Sequence, residues 1–334
     1  MHHYLLLVHA YTTNCPERVK RGMSSTAIRQ PVSTDGFRGG KQVGARTEPT
    51  ARQVRLGHIL RKVREEGAHG TLDTMARSLN WSTAKLSRIE SGRIGISETD
   101  LNAVLDQYKV QDRSLRGYLI DLRRRGNVRG WETSVRSAVS GVYADFIGYE
   151  SDASESYSVQ TALIPGLLQT YDYAAAVIDQ HVPGMSEEEI TERLSIREKR
   201  QRVFDRPNPL VFWGVISESA LRHAVGGPEV MAAQLEHLLI MAKEYPGTVN
   251  IHVLPEASAS HAALFGPFVV LTFPQRWEPD IVYLEGLTGN RFLEETDEVQ
   301  AYSRLFNRLM MSESLRAAES MKLIESHLTN YRKG

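Results

Sequence analysis

In TLDTMARSLNWSTAKLSRIESG, Thr71 to Gly92, two short helices are written around one corner. Thr71 carries the hydroxyl of a helix N-cap, and Leu72, Met75, Ala76 and Leu79 follow it at helical spacing. Asn80 and Trp81 break that period, and Asn tolerates the left-handed backbone that a sharp corner requires. Ser82 caps a second helix, with Leu86 and Ile89 facing inward and Thr83, Ala84, Lys85, Ser87 and Arg88 facing outward. Small and basic residues on the outside of the second helix are what a helix-turn-helix presents when that helix enters the major groove N-terminus first. A solvated helical hairpin is the plain alternative, since basic helices are common.

The flanks supply the helices such a unit packs against. The spacing predicts a helix from Arg52 to Glu66, with Leu56, Ile59, Leu60 and Val63 on one face. Ser97 caps another that buries Leu101, Val104, Leu105 and Tyr108. A fifth runs from Gln111 to Arg125 through Leu115, Leu119 and Leu122. Glu90 is acidic within a basic face, so it is expected to pair internally with a nearby Arg. Trp81 has two open readings, a lid over the core between the two helices or a DNA contact.

On these residues, Val54 to Arg125 resembles the Xre-type helix-turn-helix domain of phage-repressor-like bacterial regulators, and WSTAKLSRIESG is similar to the variant common in actinomycetes. The resemblance implies four or five packed helices and a double-stranded DNA partner. It places Thr83 and Ala84 nearest the base edges, with the Thr83 or Ala84 methyl against a thymine methyl. Arg88 would donate both arms to guanine O6 and N7. Lys85 and Ser87 would make phosphate or mixed contacts, and Thr71, Arg77, Ser82 and Arg93 would hold the backbone. Leu72 departs from the pattern, because many relatives carry there a Gln that touches phosphate.

Charge agrees with that division of labour. Residues 51–130 hold 16 Lys and Arg against 9 Asp and Glu, a net of +7, and residues 1–50 hold 7 against 3, a net of +4. Residues 131–334 hold 17 against 28, a net of −11, so a chain that is neutral overall is basic where phosphate would be met and acidic elsewhere. The single cysteine, Cys15, excludes an intramolecular disulfide and a cysteine-rich zinc site, and a reducing cytosol is the expected compartment. No apolar run approaches the ~20 residues of a membrane span. MHHYLLLVHA has a short apolar core with no Lys or Arg before it, so no signal peptide is expected.

Four segments follow: a disordered extension over 1–50, the helix-turn-helix domain over 51–126, a linker and connecting helix over 127–142, and a second domain over 143–330. The extension lacks apolar periodicity. It reads either as a DNA-touching arm or, for residues 1–22, as sequence upstream of a start at Met23. Gly126 and Gly130 mark the break into the linker, and a helix is expected from Glu132 to Phe146. Tyr149–Gln160 reads as helical or partly extended, and Pro165 opens a helix to Ile178. A capping box at Ser186 and Glu189 starts a helix to Phe204, and helices are also expected after Ser217, over Glu229–Glu244, Asp297–Met311 and Ser314–Leu328. Strands are expected at Leu210–Ile216, Val249–Leu254, Pro267–Phe273 and Asp280–Leu284, with a short one near Arg291–Leu293. The fold class is therefore a mainly α N-terminal helix-turn-helix domain followed by an α+β domain with a four- to five-stranded sheet.

The words IPGLLQT at Ile164–Thr170, RQ at Arg200–Gln201, GPF at Gly266–Phe268 and VYLEG at Val282–Gly286 resemble an uncharacterised domain that follows Xre-type helices in many actinomycete regulators. That resemblance implies a sensor or docking domain, with a small cognate protein as a possible partner. Gln169, Tyr171 and Tyr173 read as core or as a polar-tipped pocket lining. Arg197, Arg200 and Gln201 read as surface pairing with Glu192 and Glu198 or as a cluster for an anionic ligand. Asp152 and Glu155 read as solvated acids.

Walker A, G-x-S-x-G, H-E-x-x-H and strand-following G-x-G-x-x-G motifs are missing, and His181, His223, His237, His252, His261 and His327 lack ligand spacing. No enzyme, cofactor or metal is expected. One domain makes few base contacts, so a homodimer on a pseudo-palindromic site is expected, its interface in the acidic half. The expectation is a cytoplasmic, sequence-specific transcriptional regulator. The alternative is an antitoxin-like protein that neutralises a small partner and represses its own promoter.

Overall fold

A computed structural model of the chain describes residues 50–67, 70–127, 139–181, 184–258, 266–275, 277–286 and 289–333. The expected disordered extension, all but Thr50, lies outside the described residues, as do most of the linker and residues 132–138 of the helix expected from Glu132.

The N-terminal half is five helices: α1 (Ala51–Glu66), α2 (Leu72–Ser78), α3 (Thr83–Glu90), α4 (Glu98–Gln107) and α5 (Arg113–Asn127). Their starts are written in single side chains. Thr50 and Gln53 form a capping box on α1, and Thr71, Ser82 and Ser97 each accept the amide three residues on. Leu56, Ile59, Leu60, Leu86, Ile89, Leu101, Leu105, Tyr108 and Leu119 then meet in one core. The α1–α3 contact is close enough to need two glycines. A Cβ on Gly57 would stand 2.5 Å from the Ile89 carbonyl oxygen, and one on Gly92 (φ +67) would stand 2.4 Å from the Val54 Cα.

The C-terminal half is built on a six-stranded mixed sheet. Its strands are β1 (Glu155–Gln160), β2 (Val211–Ser217), β3 (Val249–Leu254), β4 (Phe268–Thr272), β5 (Ile281–Leu284) and β6 (Arg291–Leu293), in the order β3-β2-β1-β4-β5-β6. β1, β2 and β3 are parallel, while β4, β5 and β6 continue antiparallel from β1. Helix α6 (Gly141–Asp152) leads into β1. The β1–β2 crossover carries α7 (Tyr171–His181) and α8 (Glu187–Gln201), and the β2–β3 crossover carries α9 (Glu218–Arg222) and α10 (Pro228–Glu244). The chain ends in α11 (Thr296–Arg308), a π-helical turn and α12 (Ala317–Lys333).

Strand alternation sorts the two faces. Phe212, Ile216, Ile251, Leu271, Ile281 and Tyr283 face a core shared with α6, α7, α10 and α12. Val159, Val215, Phe268, Val270 and Val282 face a second core closed by Val299, Phe306 and Leu309.

Two expectations need correction. The sheet has six strands rather than four or five, because the span read as helical or partly extended divides into the end of α6 and the strand β1. β1 lies between β2 and β4 and is buried on both faces, yet one face offers only Ser156, Ser158 and Gln160, so hydrophobic alternation does not announce it. The helix expected from Pro165 is a 3-10 turn at Gly166–Leu168, and α7 begins only at Tyr171.

Residues Glu48–Gly334 form one unit, and the halves are joined by a buried polar node. Arg55 of α1 lies 2.6 Å from Glu278 and 3.4 Å from Asp152, and donates to the Tyr118 hydroxyl at 2.7 Å. Arg52 donates to Asp152 at 2.9 and 3.2 Å. Asp152 is thus not a solvated acid, because two arginines of α1 close over the end of α6. Glu155 is likewise engaged, accepting from the Tyr157 hydroxyl. Trp277, from the loop between β4 and β5, packs against the N-terminal core beside Tyr118.

Candidate nucleic-acid interface

The corner between α2 and α3 forms as its residues require. Asn80 adopts φ +55, and the Trp81 amide donates back to the Ala76 carbonyl at 2.8 Å. Ser82 Oγ accepts the Lys85 amide at 3.2 Å, which leaves its hydroxyl proton available to donate. Thr71 Oγ1 caps α2 through the Thr74 amide at 3.2 Å and lies 3.0 Å from Thr74 Oγ1.

On α3 the division into faces is clean. Leu86 and Ile89 are buried, whereas Thr83, Ala84, Ser87 and Arg88 are exposed. Arg88 donates through Nε to the Ala84 carbonyl at 3.1 Å, and its two terminal amino groups have no partner among the described residues. Arg77 is exposed and, among the described residues, donates only to the Asp73 carbonyl, and Arg93, beyond the end of α3, is exposed as well. Lys85 stands apart from this face. Its ammonium lies 3.6 Å from the centre of the Trp81 ring and 3.0 Å from Asp100 at the start of α4. Trp81 is half-buried against the core, which favours its role as a lid. Leu72 is half-buried there too, so α2 offers no amide at that position.

What holds α3 in place is a buried triad. The Glu90 carboxylate accepts from Arg64 at 2.8 and 2.9 Å and from the Tyr108 hydroxyl at 2.6 Å. The hydrogen bond to Glu90 leads in keeping the Arg64 guanidinium charged, and burial, reinforced by Glu90, pushes the Tyr108 hydroxyl well above its usual range. The internal partner expected for Glu90 is Arg64.

Two acids that sequence reasoning passed over organise the outer face. Asp73 accepts the Thr83 hydroxyl at 2.5 Å, and Asp100 takes Lys85. In one dimension Asp73 signals only an acid in a helix first turn. Nothing there shows that the corner folds it against a residue ten positions on.

The residues expected at an effector site fall into three places. Gln169, Arg197 and Gln201 meet at the loop before α7. Gln169 donates to the Ile164 carbonyl at 2.7 Å and accepts from Arg197, and Gln201 donates to the Gln169 carbonyl at 2.7 Å. Tyr173 is buried and accepts the Ile164 amide at 3.2 Å. Arg200 is buried and bidentate to Glu150 at 2.8 and 2.9 Å, so it does not pair at the surface with Glu192 or Glu198. Burial works against the charge of Arg200, and Glu150 together with Tyr143 more than restores it. Tyr171 is exposed. Tyr283 stacks on Phe146 at 4.0 Å, and Arg200 lies over the same ring, so the sequence words around Gly166, Arg200 and Tyr283 converge on one core. Among the described residues no group of His, Cys, Asp and Glu could hold a metal ion, and no helix is long and apolar enough to cross a membrane.

Helix length, corner and open outer face define a helix-turn-helix of the DNA-binding class, and a helix-turn-helix domain model matches residues 55–119. The rest of the chain is placed by a second match. A domain of unknown function (DUF5753) covers residues 143–326, more than half of the sequence, and the chain belongs to that family. No curated protein and no solved structure matches the chain.

Proposed function

We propose that the chain is a cytoplasmic, sequence-specific transcriptional regulator of the Xre kind that binds double-stranded DNA as a homodimer. The observation that carries this reading is α3 itself, with its inner face locked into the core while Thr83, Ala84, Ser87 and Arg88 stand open to solvent. Thr83 and Ala84 read base edges beside Arg88, whose free amino groups suit guanine O6 and N7. Thr71, Arg77, Ser82, Ser87 and Arg93 hold the phosphate backbone. Lys85 joins them by exchanging Asp100 for a phosphate, since an ion pair this exposed is weak. With Leu72 unable to contact phosphate, the Ser82 hydroxyl and Arg77 take over that anchoring.

The C-terminal half is read as a non-catalytic module that takes an effector or a small protein partner. Support for coupling comes from the node of Arg55, Asp152, Glu278 and Tyr118, through which movement of the loop between β4 and β5 would turn α1 and α5. A gel shift on the operator tests the DNA reading. Arg88→Ala should weaken binding by about 1–3 kcal/mol, roughly 5- to 150-fold, and parental affinity in that variant would overturn it.

A further inference from the structure

We propose that Asp73, which faces the groove without reading a base itself, selects an A·T pair by fixing Thr83 as a hydrogen-bond acceptor. The inference rests on the DNA-binding reading above and names its specificity.

A threonine hydroxyl holds one proton, and a carboxylate can only accept. At 2.5 Å from Asp73 Oδ1, the Thr83 proton is therefore spent inside the protein. Thr83 is the first residue of α3 and is exposed, so what it presents outward is its γ-methyl and the remaining lone pairs of Oγ1. Ala84 sets a second methyl beside it.

The major-groove edges respond differently to such a group. Guanine offers N7 and O6, both acceptors, and a threonine with no proton to give gains nothing from either. Adenine offers the N6 amino donor to the Thr83 lone pair, and its partner thymine offers a methyl to the methyls of Thr83 and Ala84. Cytosine also has an amino donor but lacks the methyl. An A·T pair alone satisfies both features. Asp73 is a positioning residue in this scheme, and its carboxylate does by hydrogen bonding what a valine at position 83 would do only in part by shape.

Selection of binding sequences from a random duplex pool by the full-length chain tests the assignment. The parent should enrich A·T at one position of each half-site. Asp73→Ala returns the proton to Thr83, admits G·C at that position and lowers the A·T preference by roughly 3- to 10-fold, the worth of one hydrogen bond. Asp73→Asn removes the charge but keeps an oxygen that accepts the Thr83 proton, so it should retain the parental preference. In a Thr83→Val background, which has no proton to redirect, adding Asp73→Ala should leave the motif unchanged. A parental motif that persists in Asp73→Ala sinks the proposal alone, as does relaxation of equal size in Asp73→Asn. A parent that enriches no sequence sinks the DNA reading and the proposal with it.

Discussion

Replacing Glu90 by Leu should unfasten the N-terminal domain more than any change on its surface. The carboxylate is 4% exposed and accepts three hydrogen bonds, two from Arg64 on α1 and one from Tyr108 at the end of α4. Removing it strands a buried guanidinium, which costs about 3–5 kcal/mol, and leaves the Tyr108 hydroxyl without its acceptor. Glu65 stays 3.2 Å from Arg64 and offers partial relief, so the lower end, about 3 kcal/mol, is expected. For a helical unit of this size that is a fall in melting temperature of about 12 °C or more. The double variant Arg64→Met/Glu90→Leu strands no charge and should lie well above the sum of the single losses, because apolar groups of similar volume can replace a buried ion pair. Thermal melts followed by circular dichroism measure stability, and a gel shift on the same samples reports whether α3 is still presented. A loss below about 1 kcal/mol in Glu90→Leu, or singles that simply add in the double, would refute the view that this carboxylate holds a buried cation.

Two further outcomes follow from buried charge elsewhere. Arg55→Ala leaves the fully buried Glu278 side chain without its cation at a cost of about 3–5 kcal/mol, and amide exchange should quicken on α1 and α5 while β2 and β3 stay protected. Unchanged exchange on α1 would show that the node does not fasten the halves. In the C-terminal half, burial works to raise the Glu218 carboxyl, but the Glu256 amide, His327 and Arg222 outweigh it and hold it below its ordinary 4.5. A depressed carboxyl contributes stability that is full above 4.5 and is lost as pH falls through its folded value. Glu218→Gln should therefore flatten the acid limb of stability against pH in urea unfolding, and an unaltered limb would contradict this.

Much of this structure is legible because its signals are local. Thr71, Ser82, Ser97 and Ser186 cap the helices that their hydroxyls announce, and Asn80 takes the left-handed corner. Five of the six strands carry the apolar runs that reveal them. Glu90 was legible in kind, since an acid on a basic face needs a cation, although its partner lies on another helix. The strand β1 escapes because Ser156 and Ser158 fill a buried face with small polar groups. Arg55, Asp152 and Glu278 escape for a different reason. Each looks like an ordinary surface charge on its own segment, and only the meeting of α1, α6 and the loop between β4 and β5 turns them into one buried site. The same holds for Asp73 and Thr83, whose contact depends on how tightly the corner closes.

The node also changes what the basic charge of the N-terminal segment is for. Arg52 and Arg55 are spent on Asp152 and Glu278, and Arg64 on Glu90. Arg61, Lys62, Arg116, Arg123 and Arg125 are paired with Glu65, Glu66, Asp106, Glu98 and Asp121. Among the described residues, the cations left around α2 and α3 are Arg77, Arg88, Arg93 and, once it leaves Asp100, Lys85. If Arg88 goes to a base, three remain for phosphate, and each phosphate neutralised contributes about 0.9 to the slope of log affinity against log salt. A slope near −3 per bound chain is expected, rather than the roughly −6 that a net charge of +7 would give if all of it met DNA. Titration of operator binding across salt concentrations decides between the two. A slope near −6 would refute this count and mean that cations beyond these four reach phosphate.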